Sequence, residues 1–294
     1  MPSSHAHIAE RIEHALRGYA SACGLSGGLL EAVEYALLGG GKRLRPVLAW
    51  RCAEAVGGDG ERSLPGGVAV ELVHAFSLVH DDLPALDNDD MRRGRPTLHI
   101  HAGEPMALLA GDAMLTLAFD AADRLCTDEP ADLRLALIRE VVEGTRSMIV
   151  GQVYDTLGGL GAGLSDLERL ETVHRNKTGA LIRAACRLGA MLGAGTPNDD
   201  GRLGAITGFA ERLGLIFQIV DDVLDVEGSA AVVGKATGKD ADAGKLTYPG
   251  VLGVDGSRAE IRRLQDEAEA LIAPLGEPAR PLIDLSRAMA QRDR

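Results

Sequence analysis

Apolar residues recur at three- and four-residue spacing through almost the whole chain, the period of helices that each bury one face. The pattern predicts helices over about residues 6–22, 28–38, 43–56, 65–83, 103–124, 130–157, 165–194, 199–226, 257–272 and 277–291. Breaks fall where Gly, Pro and Asp collect, at Gly39-Gly40-Gly41, Gly57-Gly58-Asp59-Gly60, Gly158 to Gly163 and Gly195-Thr196-Pro197-Asn198. No alternating run is bounded by hairpin dipeptides, no segment repeats at a fixed period, and no linker is long enough to separate two domains. The expectation is a single all-α domain over residues 1–294. One connection departs from this economy: residues 227–247 carry four glycines and three lysines without helical periodicity. A loop of that length in a compact domain is disordered or functional, and its lysines favour a lid that closes over an anion.

Composition sharpens the picture. Apolar residues make up 46% of the chain but aromatics only 3%, so Leu, Ala, Val, Ile and Met must build the interior, as packed helices do. The formal net charge of -12 argues against nucleic acid or an anionic membrane as a non-specific partner, and leaves anion binding to local cationic spots. Only five of the 31 basic residues are lysines, namely Lys42, Lys177, Lys235, Lys239 and Lys245, all in Gly-bearing segments. The four cysteines, Cys23, Cys52, Cys126 and Cys186, form no CxxC pair, which suggests neither a zinc site nor a disulfide framework. A reduced, cytoplasmic setting fits them. The N-terminus lacks the basic and apolar regions of a secretory signal, and no uncharged apolar stretch reaches the length of a membrane span.

Two acidic clusters carry the chemistry. The segment ELVHAFSLVHDDLPALDNDDMRRGRPT runs from an apolar stretch into five aspartates and then two arginines. Aspartates at a helix C-terminus face the negative end of its dipole and need a cation nearby. Asp81 and Asp87 are six apart, and Pro84 crowds the carbonyl of His80, so the helix should end or bulge there and let Asp87 fold back beside Asp81. In the second cluster, FQIVDDVLD, Asp221 and Asp225 are four apart and share one helix face. Carboxylates this close repel unless a cation or a shared proton relieves them. Hard oxygen donors in this number suit Mg²⁺, which takes one or two carboxylates with waters and phosphate oxygens.

At these residues the chain resembles the trans-isoprenyl diphosphate synthases, the polyprenyl synthetase family that includes bacterial farnesyl diphosphate synthase. The matching segments are GGGKRLRP at 39–46, HDDLPALDNDDMRRGRPT at 80–97, GQ at 151–152, NKTG at 176–179, FQIVDDVLD at 217–225 and GKLTYP at 244–249. The resemblance implies an all-α bundle of about ten or more helices around a deep central cavity, commonly a homodimer, that condenses an allylic diphosphate with isopentenyl diphosphate. It implies three magnesium ions, two on Asp81 and Asp87 and the third on Asp221, supported by Asp82, Asp222 and Asp225. Arg92, Lys177 and Lys235 would hold the allylic diphosphate, with Lys245 helping and Thr178 and Gln218 lining the reacting end. Lys42, Arg45, His74 and Arg93 would hold isopentenyl diphosphate. His80 orients its helix rather than binding metal, Tyr248 and Phe217 pack, and Lys239 has no matching role.

The resemblance also bears on product length. An aromatic five positions before Asp81, here Phe76, with two extra residues inside the first Asp motif, is similar to the farnesyl diphosphate synthases. The rise of a helix sets that position roughly 7–8 Å deeper than Asp81. Helix angles place Ser77 rather than Phe76 directly under Asp81, so the farnesyl expectation rests on the family. Its nearest rival is geranylgeranyl diphosphate synthase. A class I terpene cyclase would carry an Asn/Ser/Glu motif in place of Asp221-Asp222-Val223-Leu224-Asp225, and a non-catalytic partner subunit would have lost an Asp motif.

Overall fold

The computed structural model of the chain describes residues 4–198, 200–231 and 246–292. The protein is all-α, as the periodicity predicts. In chain order the helices are α1 (His5–Ala22), α2 (Gly27–Leu37), α3 (Leu44–Ala55), α4 (Leu64–Asp81), α5 (Leu98–Ala102), α6 (Glu104–Arg124) and α7 (Ala131–Thr156). There follow α8 (Asp166–His174), α9 (Ala180–Ala194), α10 (Arg202–Ala231), α11 (Tyr248–Ile272) and α12 (Arg280–Ala290). The chain divides into two compact units, Met1–Thr145 with Ala184–Asp199, and Arg146–Arg183 with Asp200–Arg294.

In the first unit α4 packs against α3 and α6. Its run from Gly66 to Val73 is buried on every side, which explains why a helix so apolar carries little amphipathic signal. Small residues let these helices approach closely. A methyl group at Gly189 would overlap the carbonyl of Ala49 on α3, and one at Gly193 would strike the backbone of Ala53. In the second unit Leu215, Ile219, Val220 and Val223 of α10 form one core with Leu170 of α8 and Tyr248, Ile261 and Leu264 of α11. Helix α6 and residues Arg202–Glu227 of α10 are long and apolar enough to cross a membrane by length and composition. About half of each is packed inside, with Met114, Ala118 and Ala121 of α6 and Phe209, Leu213 and Ile216 of α10 buried.

Three local features depart from the sequence reading. The stretch expected as one helix over 165–194 is interrupted by a π turn at Arg175–Gly179 between α8 and α9. Helix α11 begins at Tyr248 rather than near 257, with Thr247 capping the amide of Gly250 and a break at Gly253, whose φ is 71°. That Gly-rich first stretch hides the helical period. A two-stranded hairpin pairs Met91–Arg92 with Arg95–Pro96. Its turn residues Arg93 and Gly94 both have positive φ, 51° and 73°, as tight hairpin turns require, but Arg-Gly is not a dipeptide that announces such a turn. The lid expected over 227–247 falls largely outside the described residues; where described, Glu227 to Ala231 continue α10.

Gly189→Ala is expected to lower stability by about 1–3 kcal/mol through overpacking of α9 on α3. Gly18→Ala, whose methyl meets nothing within 4 Å, should be neutral or stabilising by up to about 1 kcal/mol. Urea midpoints of the two variants against the parent check the contrast, and equal midpoints would refute it.

Candidate active site

Helix α4 ends at Asp81, and the chain then turns through Leu83 and Leu86 so that the amide of Asp87 donates to the carbonyl of Asp81 at 2.9 Å. The fold-back read from Pro84 is thus present, closed by that bond and by the amides of Leu86 and Asn88 on the carbonyl of Leu83 at 2.9 and 3.2 Å, with Asn88 in a left-handed conformation (φ 51°). The cluster splits by role. Asp82 is buried and takes three hydrogen bonds from Arg92, two from Nε at 2.8 and 2.9 Å and one from Nη2 at 2.6 Å. That fork anchors Arg92 and, against burial, holds its pKa above the ordinary value. Asp81 remains partly exposed and Asp87 is exposed.

Around this end of α4 lies a cationic recess lined by Arg43, Glu71, His74, Arg92, Arg93 and Arg95. His74 is held well below its usual pKa by burial and by the charges of Arg45, Arg93, Arg92 and Arg43, so it stands neutral at pH 7. Arg45 is lowered by burial, and its Nε is buried without a hydrogen-bond partner. Arg93 donates to the carbonyl of Gly40 in the loop that carries Lys42, which is exposed. Arg95 stacks its guanidinium 4.0 Å over the ring of Tyr35. Phe76 is buried and meets His80 edge to face, with ring centroids 5.0 Å apart. His80 Nε2 lies 3.1 Å from the carbonyl of Leu108, and Gly111 of α6 leaves the room its ring needs. Ser77 donates its hydroxyl to the carbonyl of His74 at 2.9 Å.

The second unit holds the other cluster. Asp222 is buried, accepting the amide of Tyr248 at 2.9 Å and lying 3.7 Å from Nε2 of His174. It ties the start of α11 to α10. Asp221 is partly exposed, paired with Arg292, whose guanidinium also lies 4.6 Å over the ring of Phe217. Asp225, one turn on, is exposed. Gln218 Nε2 lies 3.4 Å from His174 Nδ1. Lys177 and Thr178 ride on the π turn, and Lys177 Nζ donates to Asp155 at 2.6 Å. The π turn has a packing cause, because a methyl at Gly151 would overlap the backbone of Lys177 and one at Gly214 would lie 2.8 Å from Cα of Gly179. Lys235 and Lys245 lie outside the described residues.

The donor set fits magnesium. Among the described residues no three His, Cys, Asp or Glu groups converge into a preformed cage. Mg²⁺ does not need one, since it keeps waters and completes its octahedron with phosphate oxygens. Asp81, Asp87, Asp221 and Asp225 offer carboxylate oxygens at the protein surface for that, while Asp82 and Asp222 are turned inward as anchors.

Glu71, Asp155, His174 and Arg292 were not singled out from the sequence. Glu71 had a signal, a lone carboxylate in the apolar run VAVELVHAF, which marks a buried charge with a partner. Arg292 and Asp155 had none.

Comparison with known proteins shows the family. The family model described as polyprenyl synthetase matches residues 27–271. The chain is 45% identical over 269 residues to geranylgeranyl pyrophosphate synthase 11, chloroplastic, of Arabidopsis thaliana, covering 89% of this chain and 74% of that one. It is 44% identical over 271 residues to the heterodimeric geranylgeranyl pyrophosphate synthase large subunit 1, chloroplastic, of the same plant, covering 89% and 71%. The crystal structure of geranyltransferase from Legionella pneumophila superposes with a TM-score of 0.84 at 29% identity, covering 98% of this chain and 96% of that one.

The neutrality of His74 makes a pH prediction. Its folded pKa is depressed, so the unfolded chain, with a histidine pKa of about 6.5, binds the proton first and stability falls as pH drops below about 6.5. His74→Gln should remove that share of the loss, at most about 1.4 kcal/mol per pH unit. Urea melts at pH 7.5 and 5.5 read it, and an acid loss as large in the variant as in the parent would refute it.

Proposed function

The chain belongs to the polyprenyl synthetase family and is a trans-prenyltransferase, and we propose that its product is geranylgeranyl diphosphate, built from isopentenyl diphosphate and allylic diphosphate primers. The observation that carries the product assignment is the identity of 44–45% to plant proteins named geranylgeranyl pyrophosphate synthases. This moves the reading away from the farnesyl product expected from Phe76. Farnesyl diphosphate remains the second reading, favoured by one feature: Phe76 is a bulky ring on the helix that ends at Asp81, fixed edge-on by His80.

In this reading Asp81, Asp87, Asp221 and Asp225 would hold Mg²⁺, which supplies the Lewis acidity that lets the allylic C–O bond ionise. The chain's own groups do the rest. Arg92, oriented by Asp82, and Lys177, released from Asp155, neutralise the leaving diphosphate. Thr178 and Gln218 present oxygen dipoles to the allylic cation, and apolar walls keep water from it. Lys42, Arg45, Arg93 and neutral His74 hold the diphosphate of the attacking isopentenyl group. No side-chain base is required in this reading, in which the departed diphosphate takes the proton. Lys235 and Lys245 would add charge on the allylic side.

A second copy of the chain is the expected partner. In the first unit Leu135 and Val142, seven apart on α7, are exposed, as are Ile100, Leu108 and Leu109 on α5 and α6; in the second, Ile149 and Val153 are exposed. Apolar side chains gathered in this way are usual where another chain packs.

Purified protein incubated with labelled isopentenyl diphosphate and each of dimethylallyl, geranyl and farnesyl diphosphate tests the reading. Turnover is expected with Mg²⁺ and none with EDTA, the end product having twenty carbons. A fifteen-carbon end product would favour the second reading, and Phe76→Ala should then lengthen it. No turnover with any primer would refute the enzymatic reading.

A further inference from the structure

Three non-glycine residues among those described have a positive φ: Arg43 at 48°, Asn88 at 51° and Arg93 at 51°. Asn88 is of a type that tolerates this region, and Arg93 sits in a hairpin turn that demands it. Arg43 has neither excuse. It occupies the N-cap position of α3, where glycine would carry no backbone cost, so its side chain must account for its presence.

That side chain is buried and bonds in three directions. Nε donates to Glu13 of α1 at 2.7 Å, Nη1 to Glu71 of α4 at 2.7 Å, and Nη2 to the last carbonyl of α2, Leu37, at 2.8 Å. Burial opposes the charge, but the two carboxylates outweigh it and hold the guanidinium firmly protonated. One residue therefore fixes the start of α3 against α1, α2 and α4. Its neighbours in sequence are Lys42 on one side and, after Leu44, Arg45 on the other, two of the cations assigned to the second diphosphate. Arg93 grips the same loop from outside at the carbonyl of Gly40. The guanidinium of Arg43 is already satisfied by these partners, which distinguishes it from Arg45, whose Nε has none.

We propose that Arg43, held by Glu13 and Glu71, is the positioning residue of the isopentenyl diphosphate site: its left-handed turn aims Lys42 and Arg45 at one anion without itself touching it. The proposal rests on the prenyltransferase reading and deepens it. Lysine in place of Arg43 keeps the charge but cannot bond in three fixed directions, so the turn loosens while α3 and α4 keep their cores.

The test is steady-state kinetics with each substrate varied at saturating levels of the other. In Arg43→Lys the KM for isopentenyl diphosphate should rise about tenfold or more, with the KM for the allylic diphosphate and kcat within about twofold of the parent. Glu13→Gln, at the more exposed end of the network, should shift the same KM in the same direction by less, and decides the matter if Arg43→Lys does not fold. A merely structural role would lower kcat through loss of active enzyme, or move both KM values together, and either result overturns the proposal. So does an unchanged KM for isopentenyl diphosphate. A parent protein without turnover refutes the prenyltransferase reading itself, a result separate from all of these.

Discussion

A charge withdrawn from water into an apolar helical protein must find an opposite charge or a fan of hydrogen bonds, because its desolvation costs several kcal/mol. This chain has to keep many charges close together on helices whose other faces are buried, and pairing is how it does so. Arg92 is held by Asp82, Arg43 by Glu13 and Glu71, Lys177 by Asp155, and Asp221 by Arg292, while Asp222 is held by a backbone amide beside His174. These pairs fall into two kinds. Asp82, Glu71 and Asp222 are buried, and their partners cannot leave without stranding a charge. Asp155, Asp221 and Lys177 keep a partly exposed edge, so their pairing is screened by water and costs less to break. The first kind fixes side-chain direction, and the second leaves charge near solvent.

Close backbone approach is the other means of aiming. Gly151 and Gly214 admit the π turn that carries Lys177 and Thr178, and Gly111 admits the ring of His80 against α6. A π turn widens one turn of helix by a residue, which rotates every following side chain relative to the regular period. Lys177 therefore points where no uninterrupted helix over 165–194 would send it. The glycines that permit this lie far away in sequence, on α7 and α10, so a substitution at either acts on Lys177 without touching it.

What could be read from the sequence and what could not divides along the same line. Apolar periodicity located most helices to within a few residues, because burial of one face is a property of the segment itself. The fold-back of Asp87 was legible because Pro84 acts on its own neighbours. The two acidic clusters, and the family, were legible from residue type and spacing. The hairpin was not, since its turn is Arg93-Gly94 and depends on what Arg93 grips. The inward role of Asp82 and Asp222 was not, since their partners Arg92 and Tyr248 are settled by tertiary packing. In the same way residue type and spacing in GGGKRLRP do not tell Arg43, which points into the protein, from Arg45, which keeps an unsatisfied nitrogen; only the family resemblance separates them.

The two carboxylate clusters are built by unequal means, and the difference has a mechanical consequence. In the first, Asp81 ends a helix and Asp87 returns to it across a non-helical turn in which the amide of Asp87 donates to the carbonyl of Asp81 and those of Leu86 and Asn88 donate to the carbonyl of Leu83. The spacing of its carboxylates is set by that turn and by the anchoring of Asp82 on Arg92, not by a helical period. In the second, Asp221 and Asp225 are one turn apart on α10, and Asp222 between them is fastened to α11. Their spacing is set by the helix, and moving them means moving the core of Ile219, Val220 and Val223. Mg²⁺ tolerates little departure from octahedral geometry. A metal ion on either cluster would therefore meet a carboxylate spacing set by a turn in the first and by helical pitch in the second.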